Sequence, residues 1–272
     1  MRSIFIPFIL PVILLAGCHN NNNNVTDAIA DVKTTPVINY SLISEYPHDT
    51  TSFTEGLLFH DGKLFESTGY TNELPQTKSL FGILDLKTDK INAVVQLDTS
   101  KYFGEGITFL HNQWFQLTYR TKIGFIYDAN TFKQLKTFML PVKEGWGMTT
   151  DSTSLIMSDG TNILTWVDPV SLIAIKSVSV SDEAGPVKLL NELEYINGFI
   201  YANIFTTHFI VKIDAASGKV VGKLDLDALA TEQESSFAGA LQMNGIAYNP
   251  TLHTIYITGK MWNRVYEIRL NR

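Results

Sequence analysis

The pentapeptide Tyr102-Phe103-Gly104-Glu105-Gly106 holds a carboxylate between two glycines, directly behind two aromatic rings. Glycine lacks Cβ and tolerates positive φ, so such a stretch lets backbone come close to a ligand while the carboxylate projects. In an apolar setting a carboxyl group has its pKa raised towards neutrality, which suits it to give and take protons near pH 7. Glu105 is therefore the candidate catalytic residue, acting as general acid/base. The competing reading is a strand-entry turn with a solvated glutamate, and the pentapeptide alone does not separate the two.

The pattern recurs. Thr54-Glu55-Gly56-Leu57, Gly104-Glu105-Gly106-Ile107, Gly145-Trp146-Gly147-Met148, Asn191-Glu192-Leu193-Glu194 and Met243-Asn244-Gly245-Ile246 superimpose as five copies of one unit, their second positions 50, 41, 46 and 52 residues apart. A short way behind each copy comes an apolar run with strand character: Leu64-Phe65-Glu66, Trp114-Phe115-Gln116, Leu155-Ile156-Met157, Ile200-Tyr201-Ala202 and Ile255-Tyr256-Ile257. Further on, Asp85, Asp128, Asp168 and Asp214 each open an Asp-x-x-Ser/Thr tetrapeptide, whose aspartate can bond backbone amides and fix a tight turn. Several short strands per unit at this period predict an all-β protein, a five-bladed β-propeller. The last unit has a third strand at Val265–Arg269 but no fourth, so residues 37–43 are expected to complete it and close the ring. Asp225 to Ser235 is the best helix candidate, an insertion on a rim.

In that architecture the opening segment of each blade lines the central channel. Glu55, Glu105, Trp146, Glu192 and Asn244 should then converge on the axis in a concave, water-limited pocket. Glu192 and Glu194 are read as alternating, so that only one faces the channel. The five residues differ in chemistry while their glycine and apolar neighbours repeat, and divergence on a uniform frame suggests a site. The blander alternative is polar filling of the channel.

With 272 residues, 45% hydrophobic and 18% charged, the chain is an ordinary globular protein of one large domain or two small ones. A net charge of −6 gives no basic field, so nucleic acid is not an expected partner. Residues 1–17 form an export signal: Arg2, an apolar run from Ile4 to Ala16 broken by Pro7 and Pro11, and small residues before Cys18. Leu15-Ala16-Gly17-Cys18 resembles the bacterial lipobox, which implies cleavage before Cys18, its lipidation, and membrane attachment through that anchor. Residues 18–36, with five consecutive asparagines, read as a tether, and residues 37–272 as the propeller domain. His19 after the cysteine points to the outer membrane where the host has one, facing the periplasm or the surface. Cys18 is the only cysteine, so the mature domain has no disulfide. A closed propeller leaves few open edges, and a monomer is expected.

Eight stretches carry a family resemblance in order and spacing: Phe53-Thr54-Glu55-Gly56-Leu57, Phe65-Glu66-Ser67-Thr68-Gly69, Phe103-Gly104-Glu105-Gly106, Gly124-Phe125-Ile126-Tyr127-Asp128, Ser158-Asp159-Gly160-Thr161, Leu190-Asn191-Glu192-Leu193-Glu194, Asn244-Gly245-Ile246-Ala247 and Thr258-Gly259-Lys260. From about Val37 onward the chain resembles the plant and bacterial type of glutaminyl cyclase, itself a family of five-bladed propellers. The resemblance implies conversion of the N-terminal glutaminyl residue of a peptide or protein into pyroglutamate, with release of ammonia. It implies that Glu105 takes the place of the essential glutamate, that Phe53 packs against substrate, and that Glu55 binds the free amine. Asn191 would hold the substrate amide or carbonyl, Lys260 would face the developing oxyanion or the peptide carbonyl, and Trp146 would form a wall. Plant relatives carry tryptophan where this chain has Tyr119 and Phe205; both keep an aromatic ring, which implies altered affinity rather than lost activity. Phe53 as plain core and Lys260 as a rim charge are the alternatives to these roles.

No cofactor is expected. The six histidines, at 19, 48, 60, 111, 208 and 253, show no zinc-ligand spacing, so no catalytic metal is assigned, although converging carboxylates leave room for a structural calcium. Two rivals stand beside the cyclase: a non-catalytic propeller that binds a peptide or protein in its channel, and a calcium-dependent lactonase-type propeller.

Overall fold

The computed structural model describes residues 34–271; the leader, most of the tether and Cys18 lie outside them. Among the described residues the chain forms five four-stranded antiparallel sheets, a small hairpin and one helix. Blade one is Thr54–His60, Lys63–Thr68, Leu80–Leu84 and Ile91–Gln96; blade two is Gly104–Leu110, Gln113–Thr118, Ile123–Asp128 and Gln134–Met139. Blade three is Met148–Thr150, Leu155–Met157, Ile163–Val167 and Ala174–Ser179; blade four is Leu190–Ile196, Phe199–Ile204, Phe209–Asp214 and Val220–Asp225. Met243–Asn249, Thr254–Gly259 and Arg264–Leu270 make up blade five, and the N-terminal strand Tyr40–Pro47 pairs antiparallel with the last of them.

Burial explains which residues form which strand. A strand with a neighbouring blade on both faces reads as a continuous apolar run, as Leu155–Met157 does, with every residue buried. Outer strands bury far less: Gln134–Met139 buries only Phe138, Ala174–Ser179 only Val178, and Ile91–Gln96 no residue at all. The core is accordingly divided into five apolar layers, one between each pair of successive blades, such as Phe65, Phe81, Ile107, Trp114 and Phe125 between blades one and two. The third and fourth strands are joined as the sequence indicates. Asp128 accepts from the N–H and hydroxyl of Thr131 (both 2.8 Å), Asp168 from those of Ser171 and Asp214 from those of Ser217.

Ring closure follows the expected logic with a shifted register. The closing strand is Tyr40–Pro47, with Tyr40 opposite Leu270 and Pro47 opposite Arg264. Val37 instead bridges in parallel to Lys223, the Lys223 N–H donates to Pro36 O at 2.9 Å, and Thr35 bonds Glu183. The chain thus docks on blade four before it enters blade five. The helix Asp227–Ser236 fits the predicted insertion, and it packs Leu229 and Ala230 into the layer between blades four and five.

One device recurs on the innermost strands. Their ladders slip at Thr54/Gly56, Gly104/Ile107, Leu190/Leu193 and Met243/Ile246, so each strand is bulged at the residue that faces the axis. A bulge re-aims a side chain and leaves backbone groups unpaired. Here the freed groups bond the next blade: Gly106 N donates to Trp146 O at 2.9 Å, and Ser67 Oγ donates to Glu105 O at 2.6 Å. Gly104 and Gly106 are absent from the positive-φ positions, and their freedom is used differently from the sequence expectation. A Cβ on Gly106 would lie 2.7 Å from Trp146 O, and one on Gly147 would lie 2.0 Å from Asn191 O. These glycines bring backbone against the neighbouring blade rather than against a ligand.

The expectation that only one of Glu192 and Glu194 faces inward is corrected, because residues two apart on a strand share a face. Both are buried and both reach blade five: Glu192 Oε2 accepts from Ile246 N at 2.9 Å and Glu194 Oε1 from Tyr248 N at 2.8 Å. Glu192 Oε1 also takes Leu57 N of blade one at 3.2 Å, across the ring. Burial pushes the Glu194 carboxyl up to about 8 from an ordinary 4.5. A carboxyl raised in the folded state favours the native fold when protonated and opposes it when ionised, so its contribution declines as pH rises from about 4.5 to about 8. Glu194→Gln keeps an acceptor for Tyr248 N and removes the titration. Its melting temperature should gain on the parent at pH 8.5 and not at pH 5; an equal difference at the two pH values in thermal denaturation would refute this.

Candidate active site

The bulges aim their residues into a cavity of about 260 Å³ at the ring centre. Phe53 and Glu55 from the start of blade one, Glu105 from blade two, Trp146 from the entry to blade three, Asn191 from blade four and Lys260 from the second-to-third-strand turn of blade five all line it. Tyr119 and Phe205, each directly after a second strand, complete the set indicated by the sequence, and Thr71, Phe103 and Arg120 join them. Thr71 lies in the long connection between the second and third strands of blade one, where no repeat position marks it. Arg120 follows Tyr119 at the mouth.

Two of the five repeat-start residues do not reach the cavity. Glu192 is spent on the backbone of blades one and five, as described above. Asn244 lies behind Glu55: its Nδ2 donates to Glu55 Oε2 at 3.2 Å and to Thr54 O at 3.1 Å. The ladder sets Leu190-Asn191-Glu192-Leu193 level with Gly104-Glu105-Gly106-Ile107 and Met243-Asn244-Gly245-Ile246, one residue earlier than the sequence repeat places it, so Asn191 rather than Glu192 takes the cavity position and Glu192 stands where other copies carry glycine.

The walls are aromatic. Phe53 meets Phe103 edge-on at 5.8 Å, Phe103 meets Tyr119 at 6.2 Å, and Trp146 meets Phe205 at 5.7 Å. Inside them stand two carboxylates and one ammonium. Lys260 Nζ sits 2.5 Å from Glu55 Oε1 and 4.5 Å from the Phe53 ring centroid, with both side chains of the pair nearly inaccessible to solvent. Lys260 is therefore a buried member of the cluster and not a rim charge. Burial pushes Glu55 up against the opposing pull of Lys260. Glu105 is raised well above its ordinary value, first by burial and then by the Glu55 and Glu144 carboxylates, with Lys260 pulling the other way.

Glu105 Oε2 and Asn191 Oδ1 are buried without a hydrogen-bond partner. Buried acceptors are normally satisfied, so two orphans in one cavity are vacancies shaped for a donor that the protein does not supply. The backbones of these two residues, by contrast, are fixed by hydroxyls of the preceding blade. Ser67 Oγ holds Glu105 O and receives Gln116 Nε2 at 3.0 Å, and Gln116 Oε1 receives the Tyr127 hydroxyl at 2.9 Å. Ser158 Oγ donates to Asn191 O at 2.7 Å and accepts from Gly147 N at 2.8 Å. The repeat did not reveal these holding roles of Ser67, Gln116 and Ser158, although Ser67 and Ser158 stand inside the motif stretches. Among the described residues no three His, Cys, Asp or Glu side chains are grouped to hold a metal ion. Of the buried carboxyl groups, Glu55 is held by Lys260, and Glu192 and Glu194 are held by backbone amides.

Comparison with known proteins gives a consistent picture. The sequence model of a family described as glutamine cyclotransferase matches residues 10–270. A glutaminyl-peptide cyclotransferase of Arabidopsis thaliana is 36% identical over 233 residues, covering 85% of this chain and 71% of the relative. The crystal structure of Myxococcus xanthus glutaminyl cyclase superimposes with a TM-score of 0.77 at 35% identity, covering 87% of this chain and 98% of that one.

Replacing Lys260 tests the electrostatics of the cavity. Lys260→Met leaves Glu55 buried without its counter-charge, a kind of change that costs about 3–5 kcal/mol. In urea denaturation the loss should be largest at pH 8 and shrink towards pH 5, as Glu55 takes up a proton. The double variant Glu55→Gln/Lys260→Met should recover most of it. A single variant as stable as the parent at pH 8 would show that the pair does not act as a unit.

Proposed function

The chain belongs to the glutamine cyclotransferase family, and on that premise we propose that it converts N-terminal glutaminyl residues of peptides and proteins to pyroglutamate with Glu105 as the proton shuttle. The observation that carries the shuttle is the buried, unpartnered Oε2 of a carboxyl group whose affinity for a proton is raised by its surroundings.

The reaction is a ring closure within one residue. The α-nitrogen attacks Cδ of its own side-chain amide, the new C–N bond makes a five-membered lactam, and the old C–N bond breaks to release ammonia. Both nitrogens already belong to the substrate, so the protein has to orient them and move one proton. The attacking amine must give up a hydrogen and the departing amide nitrogen must gain one. A carboxylate set between the two can accept the first and deliver it to the second. An α-amine has a pKa near 8, and a carboxyl group raised from 4.5 comes closer to it, which makes the transfer nearer to balanced in either direction.

The remaining residues supply orientation. Glu55 keeps lone-pair capacity beyond its bonds to Lys260 and Asn244, and we assign it the substrate amine. Asn191 Oδ1 is unpartnered and suits an N–H of the substrate amide. Lys260 lines the cavity and uses one of its three N–H donors on Glu55, which leaves two for the charge that grows on the amide oxygen in the tetrahedral intermediate. Phe53, Phe103, Trp146 and Phe205 exclude water and strengthen each of these contacts. The export signal, with Cys18 as lipid anchor, extends the proposal to place: a monomer working outside the cytoplasm, held at the bacterial envelope.

Ammonia release from a Gln-initiated dipeptide amide tests the assignment. Glu105→Gln should lower kcat by roughly 10²–10⁴-fold with little change in fold, since a neutral amide cannot carry the proton. In the parent, kcat should rise with pH through a value well above the ordinary carboxylate range, because Glu105 must be ionised to accept. If Glu105→Gln retains the parental rate of ammonia release, Glu105 is not the proton shuttle.

A further inference from the structure

The catalytic cavity has a neighbour. A surface groove of about 450 Å³ is lined by Tyr119, Arg120, Lys122, Lys143 and Glu144, and it shares Tyr119 and Arg120 with the cavity. These two residues follow the second strand of blade two, while Lys122 precedes its third strand and Lys143 follows its fourth, so the groove runs along one edge of that blade.

The groove collects cations on a chain whose net charge is −6. Arg120, Lys122 and Lys143 are all exposed, and none forms an ion pair among the described residues. The acids near them, Glu144 in the groove itself and Glu73 and Asp159 beside it, form no ion pair with these cations and hold hydrogen bonds from neutral donors. Glu144 Oε2 accepts from Trp146 Nε1 at 3.1 Å, Glu73 takes the Thr71 hydroxyl, and Asp159 takes Thr161 and the Lys143 N–H. Arg120 extends over the Phe103 ring, 5.8 Å from its centroid, which points its guanidinium along the mouth. Charge thus has a direction here. Carboxylates of Glu55 and Glu105 stand deep in the cavity, and outside it the groove lining sets three cations, Arg120, Lys122 and Lys143, against the single carboxylate of Glu144.

On the reading of the cavity given above, the substrate's glutaminyl residue fills the cavity and the rest of the chain must leave through the mouth. From this arrangement we infer that the groove is a subsite for the second and third residues of the substrate, and that it selects acidic side chains there. Such a substrate matches the site at both ends, with its amine inward and its carboxylates outward. Arg120 can take a carboxylate in a two-pronged contact, and Lys122 and Lys143 act as point charges that a second carboxylate can reach. Tyr119 offers an apolar edge to the connecting backbone.

The test compares Gln-Glu-Glu-amide, Gln-Ala-Ala-amide and Gln-Lys-Lys-amide by kcat/KM in low salt. Exposed pairs are individually weak, so two or three together predict a preference of roughly 3- to 10-fold for the acidic over the neutral peptide, with the basic one poorest. The preference should fade in 1 M salt, where the screening length is about 3 Å. Lys122→Glu/Lys143→Glu should reverse the order of acidic and basic peptides and leave Gln-Ala-Ala-amide unchanged. Equal values for the three peptides, or an order untouched by the double variant, would overturn the inference. Calorimetric binding of the same peptides to Glu105→Gln reads the groove without turnover. If the parent fails to cyclise any of them, the proposed activity falls, while the binding order still decides the subsite: tighter acidic peptides uphold it and equal affinities refute it.

Discussion

Backbone polar groups that are taken out of water must be paired, and the inner strands of this ring deliberately unpair theirs. Each bulge lifts one residue towards the axis and releases N–H and C=O groups from its own ladder. The only partners within reach are in the adjoining blades. Glu105 O therefore binds Ser67, Gly106 N binds Trp146 O, Gly245 N binds Asn203 Oδ1 at 3.0 Å, and Asn191 O binds Ser158. The distortion that aims a side chain into the cavity is the same one that fastens blade to blade. A site residue here cannot shift without loosening an interface.

This arrangement accounts for the division of labour among the buried carboxyl groups. Glu55, Glu105, Glu192 and Glu194 are all buried on the innermost strands, yet an apolar centre cannot hold four free charges. Glu55 is neutralised by Lys260, and Glu192 and Glu194 are consumed by backbone amides of the neighbouring blades. Glu105 alone keeps an oxygen without a protein partner. Its raised proton affinity follows from that isolation, since burial acts on it without any compensating donor.

The repeat was legible in sequence because its punctuation is local. Aspartates that fold back on their own turns and apolar runs of strand length declare themselves within a few residues, and the blade count, the strand order and the closing strand followed from them. The cavity residues Phe53, Glu55, Glu105, Trp146, Asn191, Lys260, Tyr119 and Phe205 were legible through motif resemblance. What escaped was whatever depends on contacts between blades. In blade four the ladder aligns Asn191, not Glu192, with Glu105, and because a glutamate replaces the usual glycine there, the repeat in Asn-Glu-Leu-Glu is misread by one residue. Gly106 is read from sequence as an opening for a ligand, but the surface it approaches belongs to the next blade, some forty residues away. Thr71 and Arg120 lie in connections that the period does not constrain.

The closing strand carries a consequence for how the molecule comes into being. Ser41 and Asn271 meet across 230 residues of sequence, and the Asn271 N–H donates to Asn39 O at 2.9 Å. Bringing such distant ends together costs about 5 kcal/mol of chain entropy before any contact across the seam repays it. Four blades can assemble from neighbours as the chain is made, while the fifth waits for the last residues to emerge. Until then the Tyr40–Pro47 strand lacks its partner and the central cavity has no complete wall. Assembly is therefore a zipper whose final tooth is also its first, and a chain cut short by even one strand has no finished site at all.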